Sequence, residues 1–463
     1  MTRFRLRIAA FLAAVGACAT QAFPTDAEVR ELLRQRVEVS RRGVGLVVGL
    51  VDETGSRIIA YGHARRGNEE VVTGDSVFEI GSVTKVFTAL LLADMAGKGE
   101  VKLDDPIARH APKWVKSPAA QHITLLHLSR HTSGLPSWPD NLDPADPLHY
   151  ADGYTNKALF EFLATIKGGR LAGRHHSYSN YGVAVLGELL ALRAGTDLET
   201  ALRRRLFAPL GMDRTGFALT SELRAAHALG HSSRGRPIPL GGARGMLGSG
   251  ALRSSASDLV RFIEANLGLR ESALHAAMRA THATEADRQL PDLDMGLGWF
   301  HSTLGGRRIT WHNGGTVGFR SHVGMDLAAR RGVVVLANSD SDVTNLGYHL
   351  LEPSIPLHLP SPPREFRAVK IASRLLDEYA GTYKASANDR HFVRFHHDGD
   401  QLFASTAVET VRVFAESRDT FFTEDQDSWG TFTRDSRGRV DGITWLRENY
   451  RLQLQRMKAT AKP

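Results

Sequence analysis

Ser82 and Lys85 are the first residues of this chain whose types and spacing suggest chemistry. They lie in the stretch Phe78-Glu-Ile-Gly-Ser-Val-Thr-Lys85, just before an apolar run from Val86 to Met95. Apolar residues recur there at three- and four-residue steps, which predicts a helix with both side chains on one face. A serine hydroxyl becomes a nucleophile when a base takes its proton, and a lysine whose pKa is lowered by burial can be that base. Free N–H groups at the helix start could hold the resulting oxyanion.

This pair alone does not establish a catalytic serine. A serine that caps a helix, followed by a surface lysine, is a common structural arrangement. The helix that follows Lys85 is apolar on almost every side, however, which predicts a buried helix and a partly desolvated lysine. The catalytic interpretation therefore depends on partner groups elsewhere in the chain.

A second cluster, Ser177-Tyr-Ser-Asn180, precedes another apolar helix. Tyr178 beside a lysine ammonium could have a lowered pKa and serve as a base, first for the nucleophile and later for water. Asn180 could orient the lysine and donate to a substrate carbonyl. The alternative is a helix-start tyrosine that fills the core. Tyr154-Thr-Asn156 has the same residue types, but we interpret it as a helix entry capped by Thr155 or Asn156.

The third cluster is Thr310-Trp-His-Asn-Gly-Gly-Thr316, which contains His312 and Asn313. A strand that ends in paired glycines, here Gly314 and Gly315, lets another backbone segment come close. The Gly315 N–H could then be a second oxyanion donor. The alternative is an edge strand with a glycine bulge and a structural histidine.

Composition indicates an exported, soluble globular protein. Of 463 residues, 42% are hydrophobic and 23% charged, which is typical of a chain with a sizeable core. Three arginines precede the apolar run Ile8 to Ala17, a pattern that predicts a signal peptide over residues 1–22. Val15-Gly-Ala-Cys18 resembles a lipoprotein box, so the leader could instead end at residue 17, with a lipid anchor on Cys18. Cys18 is the only cysteine, which excludes a disulfide within the mature chain.

Charge and histidine spacing exclude other function classes. The formal net charge is +8, but the positive residues are scattered, so no nucleic-acid partner is expected. The histidines lack the spacing of metal ligands, and neither a metal nor another cofactor is expected.

The order of elements predicts an α/β (α+β) fold. Strands near residues 43–63 come first, a helical region spans 82–211, and strands resume from 298 to 338 before a helix that ends near 351. This order fits an antiparallel sheet flanked by helices plus an all-helical lobe, with Ser82 in the cleft between them. We expect a catalytic domain over residues 23–352, a Pro-rich linker over 353–367 and a small antiparallel β domain, barrel or sandwich, over 368–463.

The three clusters together resemble a known family. Ser82-x-x-Lys85, Tyr178-x-Asn180 and His312-x-Gly314, in this order, look like the motifs of penicillin-recognising serine hydrolases, in the branch of class C β-lactamases and DD-peptidases. The similarity covers about residues 26 to 352. Secondary phrases agree with it: Ile123-Thr-Leu-Leu-His-Leu, His131-Thr-Ser-Gly-Leu135, Pro209-Leu-Gly-Met212 and Gly250-Ala-Leu-Arg-Ser-Ser-Ala-Ser-Asp258. The segment Tyr379-Ala-Gly-Thr-Tyr383 resembles the small β domain often appended to such hydrolases.

The resemblance implies a serine hydrolase of the periplasm or cell envelope that acts through an acyl-enzyme on β-lactams or D-alanyl peptide amides. Its substrate would be a small molecule or a peptidoglycan-derived peptide. The implied catalytic residues are Ser82, Lys85 and Tyr178, and the implied substrate-binding residues are Asn180, His312, Asn313, Gly314 and Gly315.

One departure from the family pattern leaves alternatives open. Class C β-lactamases usually have Lys-Thr-Gly as the third motif, whereas this chain has His312 in place of the lysine, as do certain DD-peptidases, D-amino-acid peptidases and esterases. A partly charged histidine would anchor a substrate carboxylate more weakly. The alternatives are a carboxylesterase of the same family, a penicillin or muropeptide sensor that is acylated without turnover, and an envelope binding protein with a coincidental Ser-x-x-Lys.

Overall fold

The computed structural model describes residues 22–142, 153–169, 171–239, 246–283, 293–385, 392–406, 410–424, 426–447 and 450–457. Cys18 and the predicted signal peptide, apart from its last residue, lie outside these ranges. In the described ranges we find no helix with the length and apolar character that crossing a membrane requires.

The helices are α1 (Asp26–Arg34), α2 (Thr84–Gly97), α3 (Leu125–Ser129), α4 (Asn156–Thr165), α5 (Asn180–Ala194), α6 (Leu198–Leu202), α7 (Ala208–Leu210), α8 (Ser221–Ala226), α9 (Leu247–Gly250), α10 (Ala256–Asn266), α11 (His275–His282), α12 (Thr344–Leu351) and α13 (Ser373–Leu376). The strands are β1 (Gly45–Asp52), β2 (Gly55–Gly62), β3 (Val77–Glu79), β4 (Gly230–His231), β5 (Pro237–Ile238), β6 (Arg253–Ser255), β7 (Leu293–Met295), β8 (Phe300–Leu304), β9 (Arg307–Thr316), β10 (Phe319–Asp326), β11 (Arg331–Ala337), β12 (Gly381–Lys384), β13 (Val393–Asp398), β14 (Gln401–Ser405), β15 (Thr410–Ala415), β16 (Thr420–Phe422), β17 (Ser428–Arg434), β18 (Val440–Arg447) and β19 (Tyr450–Arg456).

A seven-stranded antiparallel sheet forms the centre of the first part of the chain, in the order β2-β1-β11-β10-β9-β8-β7. Strand β11 is buried along its whole length because helices cover both faces of the sheet. Val334 and Leu336 pack into the core that includes α2 and α10, whereas Val333 and Val335 pack against α1 and α12. This alternation is the two-residue period of a strand with both faces buried. The predicted antiparallel sheet flanked by helices is therefore confirmed.

The helical lobe lies between β3 and β6 in the chain, and these two short strands pair with each other. Every residue of α2 from Thr84 to Met95 is buried, and so is every residue of α5 from Tyr181 to Ala191. A helix that is apolar on all sides belongs in the interior of a domain. Both helices are therefore rigid supports, and the side chains at their N-terminal ends have fixed positions.

The last part of the chain is a closed antiparallel barrel in which β12 to β19 pair in sequence and β12 closes on β19. Its interior is filled by aromatic rings, among them Tyr379, Tyr383, Phe395, Phe421 and Phe432. The Tyr383 hydroxyl donates to the Tyr379 carbonyl at 2.8 Å. The sequence predicts a small barrel or a sandwich, and the structure shows a barrel. A closed barrel has no unpaired sheet edge.

A buried carboxylate joins the barrel to the part of the chain that contains the seven-stranded sheet. Asp427 forms an ion pair with Arg42, and both side chains are almost fully buried. A second guanidinium, that of Arg234, lies 3.5 Å from the same carboxylate. The Arg364 N–H donates to Asp427 at 3.0 Å, and the Asp427 N–H donates to the Ser233 hydroxyl at 2.9 Å. Asp427 therefore places a negative charge next to the buried guanidinium groups at this junction.

Removal of this carboxylate is expected to destabilise the protein strongly. Asp427→Ala removes a buried carboxylate that pairs with the Arg42 guanidinium and lies 3.5 Å from that of Arg234, at a cost of about 3–5 kcal/mol in unfolding free energy. The matched control is Glu424→Ala, which breaks an exposed pair with Arg236 across the same junction and is expected to cost less than about 1 kcal/mol. Calorimetric unfolding of both variants checks this, and equal losses would contradict the assigned role of Asp427.

Candidate active site

Ser82 lies where the chain leaves β3 and enters α2. A single 3₁₀ turn, Gly81–Val83, leads directly into the helix. Gly81 has a φ of +50°, and a Cβ at this position would lie 2.5 Å from the backbone nitrogen of Gly315 on β9. Only glycine fits a left-handed position at so close an approach. Ser82 therefore lies next to the C-terminal end of β9.

The paired glycines of β9 belong to the same close approach. A Cβ on Gly314 would collide with the carbonyl oxygen of Ile80 and lie 2.9 Å from the backbone nitrogen of Ser82. The predicted role of these glycines, to admit another backbone segment, is confirmed. The Ser82 and Gly315 backbones lie on the two segments that meet here, and the role of their N–H groups as oxyanion donors stays a prediction.

Lys85 is the centre of the site and is only 1% exposed. Its Nζ lies 2.9 Å from the Ser82 Oγ, 2.7 Å from the Asn180 Oδ1 and 2.6 Å from the Ser249 carbonyl oxygen. Ser82 lies one helical turn earlier, Asn180 begins α5, and Ser249 lies in α9. Three segments far apart in sequence therefore converge on one amine.

The contacts of Lys85 suit a neutral amine that acts as a base. Burial lowers the pKa of Lys85 well below that of an ordinary lysine. The Asn180 and Ser249 oxygens can only accept, so a neutral amine would donate its two hydrogens to them. Its lone pair would then be left for the Ser82 hydroxyl, within the reach that general-base catalysis requires.

Tyr178 completes the cluster, with a protonation behaviour that differs from the prediction. Its hydroxyl lies close enough to Ser82 for the two groups to interact, and its ring centre lies 4.9 Å from the Lys85 Nζ. Burial raises the pKa of Tyr178, and the Ser82 contact opposes this rise only in part. The predicted lowering of this pKa is wrong, because loss of solvent dominates and a neutral Lys85 offers no positive charge to offset it. Tyr178 is thus a protonated phenol beside Ser82 and Lys85.

His312 lies on β9 and is 1% exposed. Burial lowers the pKa of His312 to about 3, so the ring is neutral at pH 7 and the predicted partial charge is wrong. Asn313 projects from the other face of the strand, where its Nδ2 donates to the Thr344 hydroxyl at 3.0 Å. Its side chain therefore does not join the cluster, and its contact with substrate stays a prediction.

Two side chains and one carbonyl at the site are not identified by the sequence reasoning. The His131 ring lies 4.2 Å from the Tyr178 ring, and its Nδ1 accepts the Ser179 N–H at 3.1 Å. Phe300 stacks on Tyr178, and the two ring centres are 6.4 Å apart. The sequence indicates His131 only within a phrase expected to be structural, and nothing in it marks Phe300 or the Ser249 carbonyl.

The competing cluster at Tyr154 is a helix entry, as predicted. The Thr155 hydroxyl accepts the Ala158 N–H and caps α4. The Tyr154 hydroxyl donates to the Asn141 side chain at 2.8 Å, and Asn156 donates to Glu188. These residues therefore take no part in the site around Ser82.

The described residues contain no group of three or more His, Cys, Asp or Glu side chains that could hold a metal ion. The groups that meet at the site are a hydroxyl, an amine, a phenol and an amide. These are the groups required for acyl transfer through a serine ester.

Comparison with known proteins places this chain in a family. The Beta-lactamase family model matches residues 29–350, and the model for a domain of unknown function, DUF3471, matches residues 366–460. A β-lactamase from Pseudomonas fluorescens is 26% identical over 279 residues, which cover 59% of this chain and 72% of that protein. The D-alanyl-D-alanine-carboxypeptidase/endopeptidase AmpH of Escherichia coli strain K12 is 28% identical over 222 residues, or 48% of this chain and 56% of AmpH.

Solved structures show the same fold. The D-alanine carboxypeptidase AmpC from Burkholderia cenocepacia superposes with a TM-score of 0.61 at 25% identity, covering 71% of this chain and all of that one. A class C β-lactamase superposes with a TM-score of 0.63 at 22% identity, covering 72% of this chain and 97% of that one. Because the family model spans well over half of the sequence and the fold agrees, this chain belongs to the Beta-lactamase family.

Proposed function

We propose that this protein is an exported serine hydrolase that transfers the acyl group of a β-lactam or a D-alanyl peptide amide to Ser82 and then to water. The observation that carries the proposal is the triple contact of the buried Lys85 amine with Ser82, Asn180 and Ser249. The names of the relatives, a β-lactamase and a D-alanyl-D-alanine-carboxypeptidase/endopeptidase, support these substrate classes. Export is supported by the predicted signal peptide.

In the first step the Ser82 Oγ attacks the scissile carbonyl carbon while its proton passes to Lys85. The carbonyl oxygen gains negative charge and is held by the N–H groups of Ser82 and Gly315. The new ammonium of Lys85 is stabilised where it forms, because the Asn180 and Ser249 oxygens already point at it. Lys85 is thus the base, and the Asn180 and Ser249 oxygens stabilise the positive charge that it gains.

The second half of the step expels the amine. The bond between the carbonyl carbon and the leaving nitrogen breaks, and that nitrogen must take up a proton. Tyr178 lies beside Ser82 and Lys85, so its phenol can give its proton to the nitrogen and receive one from the lysine. The product is a Ser82 ester and a neutral Lys85. Water then attacks this ester while Lys85 takes its proton, the bond between the carbonyl carbon and the Ser82 oxygen breaks, and the proton passes from Lys85 to that oxygen.

The acylation rate is expected to be nearly level between roughly pH 8 and pH 10. The free amine is the active form, and burial lowers the pKa of Lys85, so we expect the rate to level off at a pH well below that at which an ordinary lysine loses its proton. Tyr178 stays protonated across it because its pKa is raised. Single-turnover kinetics with a chromogenic acyl donor measure this rate. A rise of about tenfold per pH unit up to pH 10 would indicate an ordinary lysine and contradict the assignment.

A carboxylesterase is the second candidate, and the neutral His312 favours it. Short acyl esters use the same nucleophile and base but need no cation to bind a carboxylate. Steady-state rates on nitrocefin, a D-Ala-D-Ala peptide and p-nitrophenyl butyrate distinguish the two functions. A kcat/KM for the ester far above that of both amide-type substrates would support the esterase, and the reverse order would support the proposal.

The sensor alternative differs in what happens after acylation. A sensor would release one equivalent of product per protein molecule and then stop, whereas a hydrolase continues to turn over. Mixing the protein with excess nitrocefin and counting the equivalents hydrolysed separates them, and a burst of one equivalent without further turnover would contradict hydrolysis.

A further inference from the structure

The Nε2 atom of His312 is a buried polar atom with no hydrogen-bond partner among the described residues. The other ring nitrogen, Nδ1, lies 2.6 Å from the carbonyl oxygen of Asn313. A carbonyl oxygen can only accept, so Nδ1 must carry the hydrogen of this neutral ring. The Nε2 atom then has a bare lone pair and can only accept a hydrogen bond.

The position of His312 on β9 directs its side chain to the side of the strand that faces Ser82. Side chains two residues apart on a strand lie on the same face. Gly314, two residues later, presents that face to the Ser82 backbone nitrogen, because a Cβ there would lie 2.9 Å from it. His312 also lies close enough to Lys85 for the two groups to interact electrostatically. The unpaired acceptor therefore belongs to the substrate side of β9.

Among the described residues, no donor lies within hydrogen-bond distance of the His312 Nε2. The Phe300 ring packs against the His312 ring, and the two ring centres are 5.0 Å apart. Lys85 directs its contacts at Ser82, Asn180 and Ser249. A buried acceptor without a donor is unfavourable, and it is satisfied when a ligand brings an N–H or O–H group to it.

We propose that His312 selects substrates that present an N–H or O–H donor to Nε2, rather than a carboxylate, beside the scissile bond. The inference rests on the proposed acyl transfer at Ser82 and names its substrate class. This class is an acyl donor whose leaving group ends in a carboxamide, an amine or a hydroxyl. A carboxylate would meet a lone pair instead of a positive charge, and two acceptors repel each other.

A matched substrate pair tests this preference. N-acyl-D-alanyl-D-alaninamide and N-acyl-D-alanyl-D-alanine differ only at the C-terminus, which is a carboxamide in the first peptide and a carboxylate in the second. The wild-type kcat/KM is expected to favour the amide by about 10- to 100-fold. His312→Lys should reverse the preference, because it replaces the acceptor by a cationic donor. His312→Leu, which keeps the position apolar, should bring the ratio close to one. His358→Lys, the same change at an exposed histidine, should leave it unaltered.

The pH dependence of the ratio is a second readout. The titratable groups around His312 are Lys85, His131 and His322, and burial lowers the pKa of each of them. The amide-to-acid ratio of the wild type should therefore stay level between about pH 6 and pH 8, whereas a charged His312 would titrate near its ordinary pKa of about 6.5.

The outcomes distinguish a failure of the selection by His312 from a failure of the acyl transfer at Ser82. A wild type that hydrolyses both peptides equally, or prefers the acid, overturns the selection by His312 while acyl transfer at Ser82 stands. A ratio that changes with a pKa near 6.5 also overturns it. A protein that forms no Ser82 ester with either peptide, with nitrocefin or with p-nitrophenyl butyrate overturns the proposed function itself.

Discussion

Ser82→Ala is expected to lower kcat for every hydrolysed substrate by at least roughly 10⁴-fold. The substitution removes the only hydroxyl that lies within hydrogen-bond reach of the buried Lys85 amine among the described residues. Ser82 is partly exposed at the start of α2, so the loss of its Oγ leaves no cavity in the core. The unfolding free energy should therefore change little while activity is lost.

Ser177→Ala is the matched control for this variant. Ser177 is an exposed serine one residue before Tyr178, and its side chain makes no contact with Lys85. Steady-state kinetics on the same substrates should give a kcat within about twofold of the wild type, since it leaves all the proposed catalytic groups intact. A Ser82→Ala variant with more than a tenth of wild-type activity would show that another group is the nucleophile.

Lys85→Met is expected to lower the acylation rate by about 10²- to 10⁴-fold, the usual contribution of a general base. Methionine fills a similar volume but can neither take the Ser82 proton nor donate to Asn180 and Ser249. The two oxygens then lose their donor in a buried site, at a cost of about 1–3 kcal/mol each in unfolding free energy. This variant should therefore lose both activity and stability.

Lys98→Met provides the comparison. Lys98 begins the turn after α2 and is 55% exposed, paired with Asp94 at 2.7 Å. Its loss should cost less than about 1 kcal/mol and leave the acylation rate unchanged. Stopped-flow acylation and urea unfolding measure both effects. Equal behaviour of the two lysine variants would contradict a special role for Lys85.

The parts of the site that lie on one helix could be predicted from the sequence. Ser82 and Lys85 are one turn apart, and the apolar residues that follow them indicate a buried helix without any knowledge of the fold. The choice of Tyr178 over Tyr154 could also be made locally, because Thr155 caps its own helix. Helix periodicity and capping depend on neighbouring residues, which the sequence shows directly.

Other parts of the site depend on segments that the sequence does not connect. The carbonyl of Ser249 accepts a hydrogen bond from Lys85 although the two residues are far apart in the sequence. Because every residue has a carbonyl, the sequence does not show which one will contact the lysine. The orientation of Asn313 depends on which face of β9 is turned toward α2. The paired glycines could be identified as a place of close approach, but their partner Gly81 emerges only from the packing.

The protonation states were the least predictable property of the site. The sequence predicts an interaction between Tyr178 and a charged lysine, whereas the structure buries both groups, so that the pKa of the phenol rises and that of the amine falls. The same loss of solvent makes His312 neutral. Burial depends on the whole fold, and it decides these charges more strongly than the identity of the neighbouring residues.

The covalent intermediate offers the most direct test of the account. The protein is quenched in acid seconds after mixing with a slowly hydrolysed β-lactam or an activated ester, and its intact mass and peptide map are measured. The account predicts one added acyl group, carried by Ser82 in the peptide that begins α2, and no adduct in Ser82→Ala. An adduct on any other residue, or hydrolysis without any covalent intermediate on this time scale, would contradict it.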